Sequence, residues 1–379
     1  MNQTLPSGPA GGTTGAVTPN GGTANARAVC DQINRPGYAR CFAWIRTDVT
    51  PMLGMQPNVS GYGPSQLQTA YNLPSSTKGS GQTVGIVDAY GNPNAESDLG
   101  VYRSNFSLSA CTTANGCFKK VDQNGGTNYP PGNQNWGAET SLDLDMVSAI
   151  CPNCKIVLVE ATDNSFKNLG IAVNQAVLQG AGQVSNSYGG GEFAAKSKYF
   201  THKGVVITAS SGDSGYGPSQ PCSWSTVVCV GGTTLSKPSP RTEVSWTGAG
   251  SGCSAKVAKP AWQTDKGCTK RSESDVSATA NPAFPVAVYD TYGYGGWTAF
   301  GGTSVASPII ASVFALAGNH GSVKSAKGIW AAGGGPNLND ITGGGSNGAC
   351  PPAYPYICKP GVGYDGVTGW GTPNGTGAF

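Results

Sequence analysis

Histidine is almost absent from this 379-residue chain, which has only His202 and His320. Charge is thin too: 23 basic and 20 acidic residues make 11% of the chain, with a formal net charge of +3. An average globular domain carries roughly 25%. Nothing in that balance recruits nucleic acid or an acidic membrane surface. No apolar run reaches the roughly 18 residues that span a bilayer, and residues 1–28 lack the apolar core of a secretory signal. Glycine (58) and proline (26), by contrast, are plentiful, and 38% of the chain is hydrophobic. That composition stays just short of a disordered or fibrous chain and predicts a folded, loop-rich body. The length suits two or three domains of about 150 residues, or one large α/β domain with insertions.

The 12 cysteines fall into short-range couples: Cys30 with Cys41, Cys111 with Cys117, Cys151 with Cys154, Cys222 with Cys229, Cys253 with Cys268, and Cys350 with Cys358. Six local disulfides are the natural reading, although spacing alone does not fix connectivity. Cys151-Pro-Asn-Cys154 also has the form of a redox pair or half a zinc site, but zinc needs a matching second half and redox use leaves ten cysteines unexplained. Oxidised cysteines imply an exported, extracellular protein whose signal has been removed, Met1 being an artificial start.

Residues 1–28 read as a flexible leader, since Gly, Thr, Ala, Asn and Pro there cannot offset the entropy of ordering. Residues 29–61 form a short cysteine-closed appendage, a possible remnant of a pro-segment, with one strand-like run over 41–46. The main body is expected over 62–379. Helix spacing marks 65–71, 138–150, 169–178 and 305–316; strands are expected over 83–87, 155–160, 184–187 and 205–209. Such alternation predicts right-handed crossovers and a parallel sheet covered on both faces. The Gly-rich stretch 333–348 and the loop closed by Cys350 and Cys358 read as surface insertions.

Phe300-Gly-Gly-Thr-Ser-Val-Ala-Ser-Pro308 is the most informative run. It places Ser304 at the mouth of an apolar helix, after glycines that allow a sharp turn and beside a positive helix end, as suits a nucleophile. The same serine would also serve as a cap. A nucleophile needs a base, and both histidines sit where an imidazolium would favour a helix C-terminus. Neither has the His-Gly-Thr context of subtilisins or the Ala-Ala-His-Cys context of chymotrypsins. A carboxylate is therefore the expected base. Glu139 and Asp143, four residues apart, share one helix face and can share a proton, whereas Asp145 points elsewhere. The plain alternative is two solvated acids in a first turn.

Ala209-Ser-Ser-Gly-Asp-Ser-Gly215 follows a buried strand, at the end of a parallel sheet where functional groups are presented. Gly212-Asp-Ser-Gly215 has the look of a chymotrypsin-type serine motif, without its fold or histidine. Asp213-Ser-Gly215 also has the look of half an aspartic-protease site, without its second half. A protonated Asp213 can instead donate to the oxyanion of a tetrahedral intermediate. At pH 4 only about 1 part in 300 of an ordinary histidine is neutral, while a carboxylate still offers a base. The scheme asks for negative charge on Glu139 with Asp143 and a neutral Asp213.

Together these segments resemble the sedolisin family, the serine-carboxyl peptidases, from about Tyr62 to the C-terminus. The resemblance rests on Glu139-Thr-Ser-Leu-Asp143, Ser185-Asn-Ser-Tyr-Gly-Gly190, Ser211-Gly-Asp-Ser-Gly215, Gly302-Thr-Ser-Val-Ala-Ser-Pro308 and a closing Asp340-Ile-Thr with Gly361-Val-Gly-Tyr-Asp365. It implies a subtilisin-like, three-layer α/β fold with a mostly parallel, seven-stranded-type sheet. It also implies Ser304 as nucleophile, Glu139 as general base, Asp143 as its orienting partner and Asp213 as oxyanion stabiliser. The closing motif resembles the family's structural calcium site, with Asp340 and Asp365 giving carboxylate oxygens and Ile341, Gly361 and Gly363 carbonyls. Unaided, an Asp in a Gly-rich loop reads as a turn residue.

The chain departs from the family in its short N-terminal portion, in Tyr188 where many relatives have Trp, and in the cysteine-closed loops 222–229 and 253–268. Cleavage preference is therefore not carried over. Asp88, ending the first strand, reads as a turn acid or as an extension of the carboxylate network, the former slightly favoured. The expectation is a secreted, monomeric, acid-active endopeptidase on protein or peptide substrates, with one calcium ion. Its substrate chain would add as a strand beside Ser185, Ser187, Tyr188, Gly189 and Gly190. A catalytically silent extracellular binding protein of the same fold is the alternative, and a histidine-dependent hydrolase a third.

Overall fold

The computed structural model describes residues 25–319 and 325–379. Most of the leader expected over 1–28 and the reading of His320 thus lie outside the described residues. In chain order the elements are β1 (Ala26–Ala28), β2 (Arg40–Cys41), β3 (Trp44–Arg46), α1 (Pro64–Ala70), β4 (Thr83–Ala89), α2 (Ala95–Asn105), β5 (Phe118–Asp122), α3 (Gln134–Ile150), β6 (Lys155–Ala161), α4 (Phe166–Leu178), β7 (Gln183–Asn186), β8 (Tyr188–Gly189), β9 (Val206–Ser210) and β10 (Val228–Lys237). They continue with β11 (Thr242–Ser245), β12 (Gly252–Ala258), β13 (Lys270–Glu273), β14 (Val276–Thr279), β15 (Val286–Asp290), β16 (Gly296–Gly301) and α5 (Thr303–Ala317).

The central sheet runs β11-β10-β9-β7-β4-β6-β5, with β14 paired to β10 on a branch off that order. Every pairing in it is parallel except β10 with β11. It thus has eight strands rather than the seven expected, because β14, far downstream, also pairs with β10. Strands β4, β6, β7 and β9 are buried almost throughout, as a parallel sheet requires when helices cover both faces. Helices α3 and α5 pack together against β4, β7 and β9, while α4 packs on β4 and β6. The neighbours of β4 are β6 on one side and β7 on the other, so strand order reverses there and a crevice opens at the carboxyl ends of the strands.

Local chemistry explains the two helices that matter most. Asn133 caps α3 by accepting from the Trp136 N–H at 3.1 Å. Helix α5 starts from Gly302, whose φ of 96° only glycine adopts without strain, and ends on Gly318 in the left-handed region. All six cysteine couples are disulfides as expected. The Cys151–Cys154 pair is fully buried, so neither the redox nor the zinc reading holds.

The N-terminal portion differs most from expectation. Ala26–Ala28, assigned to the leader, is a strand, and it pairs antiparallel with β3. In turn β3 pairs with β16 of the β15–β16 hairpin, so a four-stranded sheet ties this portion to the body. It is no appendage: β2 pairs antiparallel with β8.

Candidate active site

Five parts of the fold converge on the crevice. Helix α3 carries Glu139 and Asp143 on one face, the end of β4 carries Asp88, the segment after β7 carries Ser187, and the segment after β9 carries Asp213. Ser304 is the second residue of α5, in the first turn, where backbone N–H groups have no intrahelical acceptor. All of these side chains are buried.

The Ser304 hydroxyl donates to the Ser187 carbonyl at 3.1 Å. Ser187 Oγ donates to Asp143 Oδ1 at 2.7 Å, so it links the acid to the segment beside the nucleophile. Neither oxygen of Glu139, nor Asp143 Oδ2, accepts a hydrogen bond. Burial pushes Glu139 well above the usual carboxylate range, and the nearby Asp143, Asp88 and Asp213 push it further; the adjacent Ser304 hydroxyl eases the shift. Burial and then Asp88 raise Asp143 likewise, eased by Ser187. Asp88, raised by burial to about 7, completes the cluster. Like charges held this close do not all ionise, so the three carboxyls act as one coupled group.

On the other side of Ser304 lies Asp213. Its Oδ1 accepts from the Thr303 N–H at 2.8 Å and from Thr303 Oγ1 at 2.7 Å, which fixes the carboxyl on the first turn of α5. Its Oδ2 accepts no hydrogen bond of ordinary geometry, although the Trp44 side chain lies close enough to favour the ionised carboxyl. Burial raises the pKa to about 7, against the opposing hydrogen bonds from Thr303 and the charge of Arg40. In acid this group is protonated and has a hydrogen to donate from the free oxygen.

The structure therefore brings Ser304, Glu139, Asp143 and Asp213 together. Asp145, as expected, faces away and accepts from the Tyr289 N–H at 2.9 Å. Asp88 is corrected from a turn acid: it is the sixth residue of β4, fully buried, and its charge acts on Glu139 and Asp143. Scarce acids at the end of a buried strand were the available signal. His202, half-buried, has its ring nitrogen 3.1 Å from the Tyr199 carbonyl of its own turn, and so is structural.

The expected substrate strand needs a correction as well. Ser185 lies inside β7, paired with Ile86 and Thr208, and its hydroxyl meets Ser307 Oγ at 2.9 Å, so it does not face the crevice. The side chain of Tyr188 turns inward, bonding Asn186 Oδ1 at 2.6 Å and packing on Trp136. What reaches the crevice is the Ser187 carbonyl and the backbone of Tyr188 and Gly189. Beside that edge is a cleft of about 380 Å3, lined by Arg40, Phe42, Gly189, Glu192, Ser214 and Pro218 among others. Glu192 accepts from Ser254 and Ala255, which ties the cleft wall to the loop closed by Cys253 and Cys268.

Asp340 and Asp365 meet the same turn: Asp340 Oδ2 accepts from the Gly363 N–H at 2.8 Å and Asp365 Oδ2 from the Gly361 N–H at 3.1 Å. Asp365 is fully buried, is raised by burial to about 7, and forms no ion pair among the described residues. The Asp365 oxygens also accept from the Val367 and Thr368 N–H groups and the Thr368 hydroxyl, so the carboxyl is held within its own turn.

Comparison with known proteins gives the family and fold. The model of the subtilase family matches residues 124–327. Kumamolisin of Bacillus sp. (strain MN-32) is 29% identical over 298 residues, which cover 68% of this chain and 52% of kumamolisin. Sedolisin of Pseudomonas sp. (strain 101) is 27% identical over 370 residues, covering 84% of this chain and 60% of sedolisin. The chain thus spans only about half to three fifths of these curated relatives. Among solved structures, Pseudomonas sedolisin, a serine-carboxyl proteinase complexed with two molecules of pseudo-iodotyrostatin, matches with a TM-score of 0.70 at 25% identity, over 84% of this chain and 96% of that one.

Proposed function

Because this chain belongs to the subtilase family and, within it, to the sedolisins, we propose that it is a serine-type endopeptidase that works in acid on protein or peptide substrates. The observation that carries the reading is a buried serine hydroxyl that eases the charge of Glu139 on one helix, with the Asp213 carboxyl fixed on the adjoining residue, Thr303.

In the mechanism, Ser304 Oγ attacks the substrate carbonyl as Glu139 takes its proton. Asp143, held by Ser187, shares the negative charge with Glu139 and keeps its carboxylate basic. The carbonyl oxygen becomes an oxyanion, stabilised by a hydrogen bond from protonated Asp213 and by the positive N-terminal end of α5. Glu139 then protonates the leaving nitrogen, and water hydrolyses the acyl-enzyme by the same route in reverse. The acid optimum follows from two requirements. Asp213 must stay neutral, and the Glu139–Asp143 pair must give up one proton to make the base, against burial that favours its neutral form.

Six disulfides and the lack, among the described residues, of a helix long and apolar enough to cross a membrane support a secreted, extracellular protein. One structural Ca2+ would be held by Asp340 and Asp365 with the carbonyls of Ile341, Gly361 and Gly363. Bound there, it would neutralise the buried Asp365 and fasten the 361–365 turn to the segment at 340.

A second reading, a catalytically silent binding protein, draws on one observation: Ser304 is fully buried. Digestion of a denatured protein at pH 4 and pH 8 separates the two. Cleavage at pH 4 that is lost in Ser304→Ala and Glu139→Ala, with the fold retained, is expected; full activity in either variant removes the mechanism, and no cleavage at either pH favours the binder.

A further inference from the structure

The row of carboxyl groups behind Ser304 does not end at Asp88. In the parallel pairing of β4 with β6, Asp88 lies opposite Glu160, so the two side chains leave the same face of the sheet one strand apart. Glu160 is fully buried, and the catalytic steps do not use it. Its Oε1 is 2.8 Å from Lys120 Nζ on β5 and accepts from the Asn92 N–H at 2.8 Å, while Oε2 has no partner.

Lys120 is held on several sides. Its Nζ also donates to the Asn92 carbonyl at 2.7 Å and lies 4.4 Å from the centre of the Tyr129 ring, and only 13% of its side chain is exposed. Tyr129 Oη in turn donates to the Lys120 carbonyl at 3.1 Å. Asn92 joins this group to α3, where its Nδ2 donates to the Gly137 carbonyl at 2.9 Å and to Ser141 Oγ at 3.1 Å. A lysine held in this way has given up rotamer freedom and hydration, which a paired negative charge offsets.

Asp88 faces Glu139, Asp143 and Thr140 of α3, Tyr188 of β8 and Glu160 of β6. Glu160 faces Asp88, Lys120 and Tyr129. Its neighbour on β5, Asp122, is turned onto the N–H groups of Asn124, Gly126 and Asn128. Lys120 therefore supplies the positive charge at this end of the row.

We propose that Lys120 and Glu160 are positioning residues for the general base: Lys120 holds a negative charge on Glu160, which keeps Asp88 protonated and leaves the cluster's one negative charge on Glu139 and Asp143. This rests on the peptidase reading above and adds a control on its base. Two like charges one strand apart repel, so an ionised Glu160 makes an ionised Asp88 costly. Charge then alternates along the row: Lys120 positive, Glu160 negative, Asp88 neutral, and the Glu139–Asp143 pair negative. Without Glu160 the proton that leaves the cluster comes from Asp88 instead, and the carboxyl beside Ser304 stays protonated and cannot take the serine proton. Burial raises Glu160 too, but the bonds from Lys120 and Asn92 and the charge of Lys120 oppose the rise, whereas Asp88 is carried to about 7. Glu160 thus loses its proton before Asp88 as pH rises, and its influence grows from strong acid towards pH 6.

The test measures kcat on a denatured protein from pH 3 to pH 6.5 for the full-length parent and its variants. Glu160→Gln is expected to stay within about twofold of the parent at pH 3 and to fall about tenfold or more below it at pH 6. Lys120→Met should follow the same trend, and Lys120→Arg, which keeps the charge, should restore most of the lost rate. In Asp88→Asn protein, where position 88 has no proton to lose, adding Glu160→Gln should change kcat less than about twofold at either pH. A second measurement needs no activity: on a Ser304→Ala background, the stability gained from Asp88→Asn at pH 7.5 should be smaller when Glu160→Gln is also present. A loss that is uniform across pH, a loss that persists in Asp88→Asn, or an equal stability gain with and without Glu160 overturns the inference and leaves the peptidase reading standing. No digestion by the parent at any pH overturns the two together.

Discussion

Replacing Asp88 by asparagine tests the physics of the whole carboxyl cluster. Burial raises this group from 3.8 to about 7. An acid whose pKa is higher in the folded state than in the unfolded chain favours folding below the unfolded value, and that contribution is lost as pH rises through the folded one. Ionising Asp88 inside the protein at pH 7 to 8 therefore costs about 4 kcal/mol relative to pH 4, by the conversion of pKa difference to free energy. Against total stabilities of about 5–15 kcal/mol that is a large fraction. Asparagine has the same shape without the charge, and the Thr140 side chain that eases the Asp88 charge by hydrogen bonding can bond the amide oxygen instead. Asp88→Asn is thus expected to change stability by less than about 1 kcal/mol at pH 4 and to raise it by about 4 kcal/mol at pH 7.5. Urea unfolding followed by tryptophan fluorescence, on a Ser304→Ala background that prevents self-digestion, measures both. The parent should itself be more stable at pH 4 than at pH 7.5. Equal stability at the two pH values, or no gain from Asp88→Asn at pH 7.5, would refute the reasoning.

The oxyanion role predicts that Asp213→Ala lowers kcat at pH 4 by about 10²–10³ with little change in KM; a loss below tenfold in steady-state kinetics would remove Asp213 from that role. Because Asp213 titrates near 7, wild-type kcat should fall as pH passes through that region, and a flat profile to pH 8 would contradict it. Chelation is expected to lower the thermal midpoint of the parent and to do little in Asp340→Asn, and calorimetric titration with Ca2+ should give one site per chain; unchanged melting and no binding heat would rule the ion out. His202→Gln should leave the pH profile as it is, and loss of activity there would revive a histidine mechanism.

Some features were legible because they are local. Four-residue spacing on a helix puts Glu139 and Asp143 on one face whatever surrounds them, and the glycines before Ser304 announce a sharp entry into α5. Cysteines 3 to 15 residues apart pair with little choice of partner. Ser185 was misread because a run of matching residues does not say where a strand dips into the sheet: β7 ends at Asn186, so the edge open to a substrate begins only at Ser187. Asp88 was misread because the strand runs one residue past it, to Ala89.

By itself the sequence determined the class of chemistry. With two histidines in 379 residues and helix periodicity pairing two of its few acids, a serine here had to look to carboxylates. Only the tertiary structure decided which carboxyls are kept neutral, since that depends on burial and on charges contributed by β4, α3 and the loop after β9. It alone also laid Arg40 and Cys41 along Gly189 and Tyr188: β2 and β8 are nearly 150 residues apart in sequence, and their pairing comes from backbone hydrogen bonds that leave no periodic trace in the side chains.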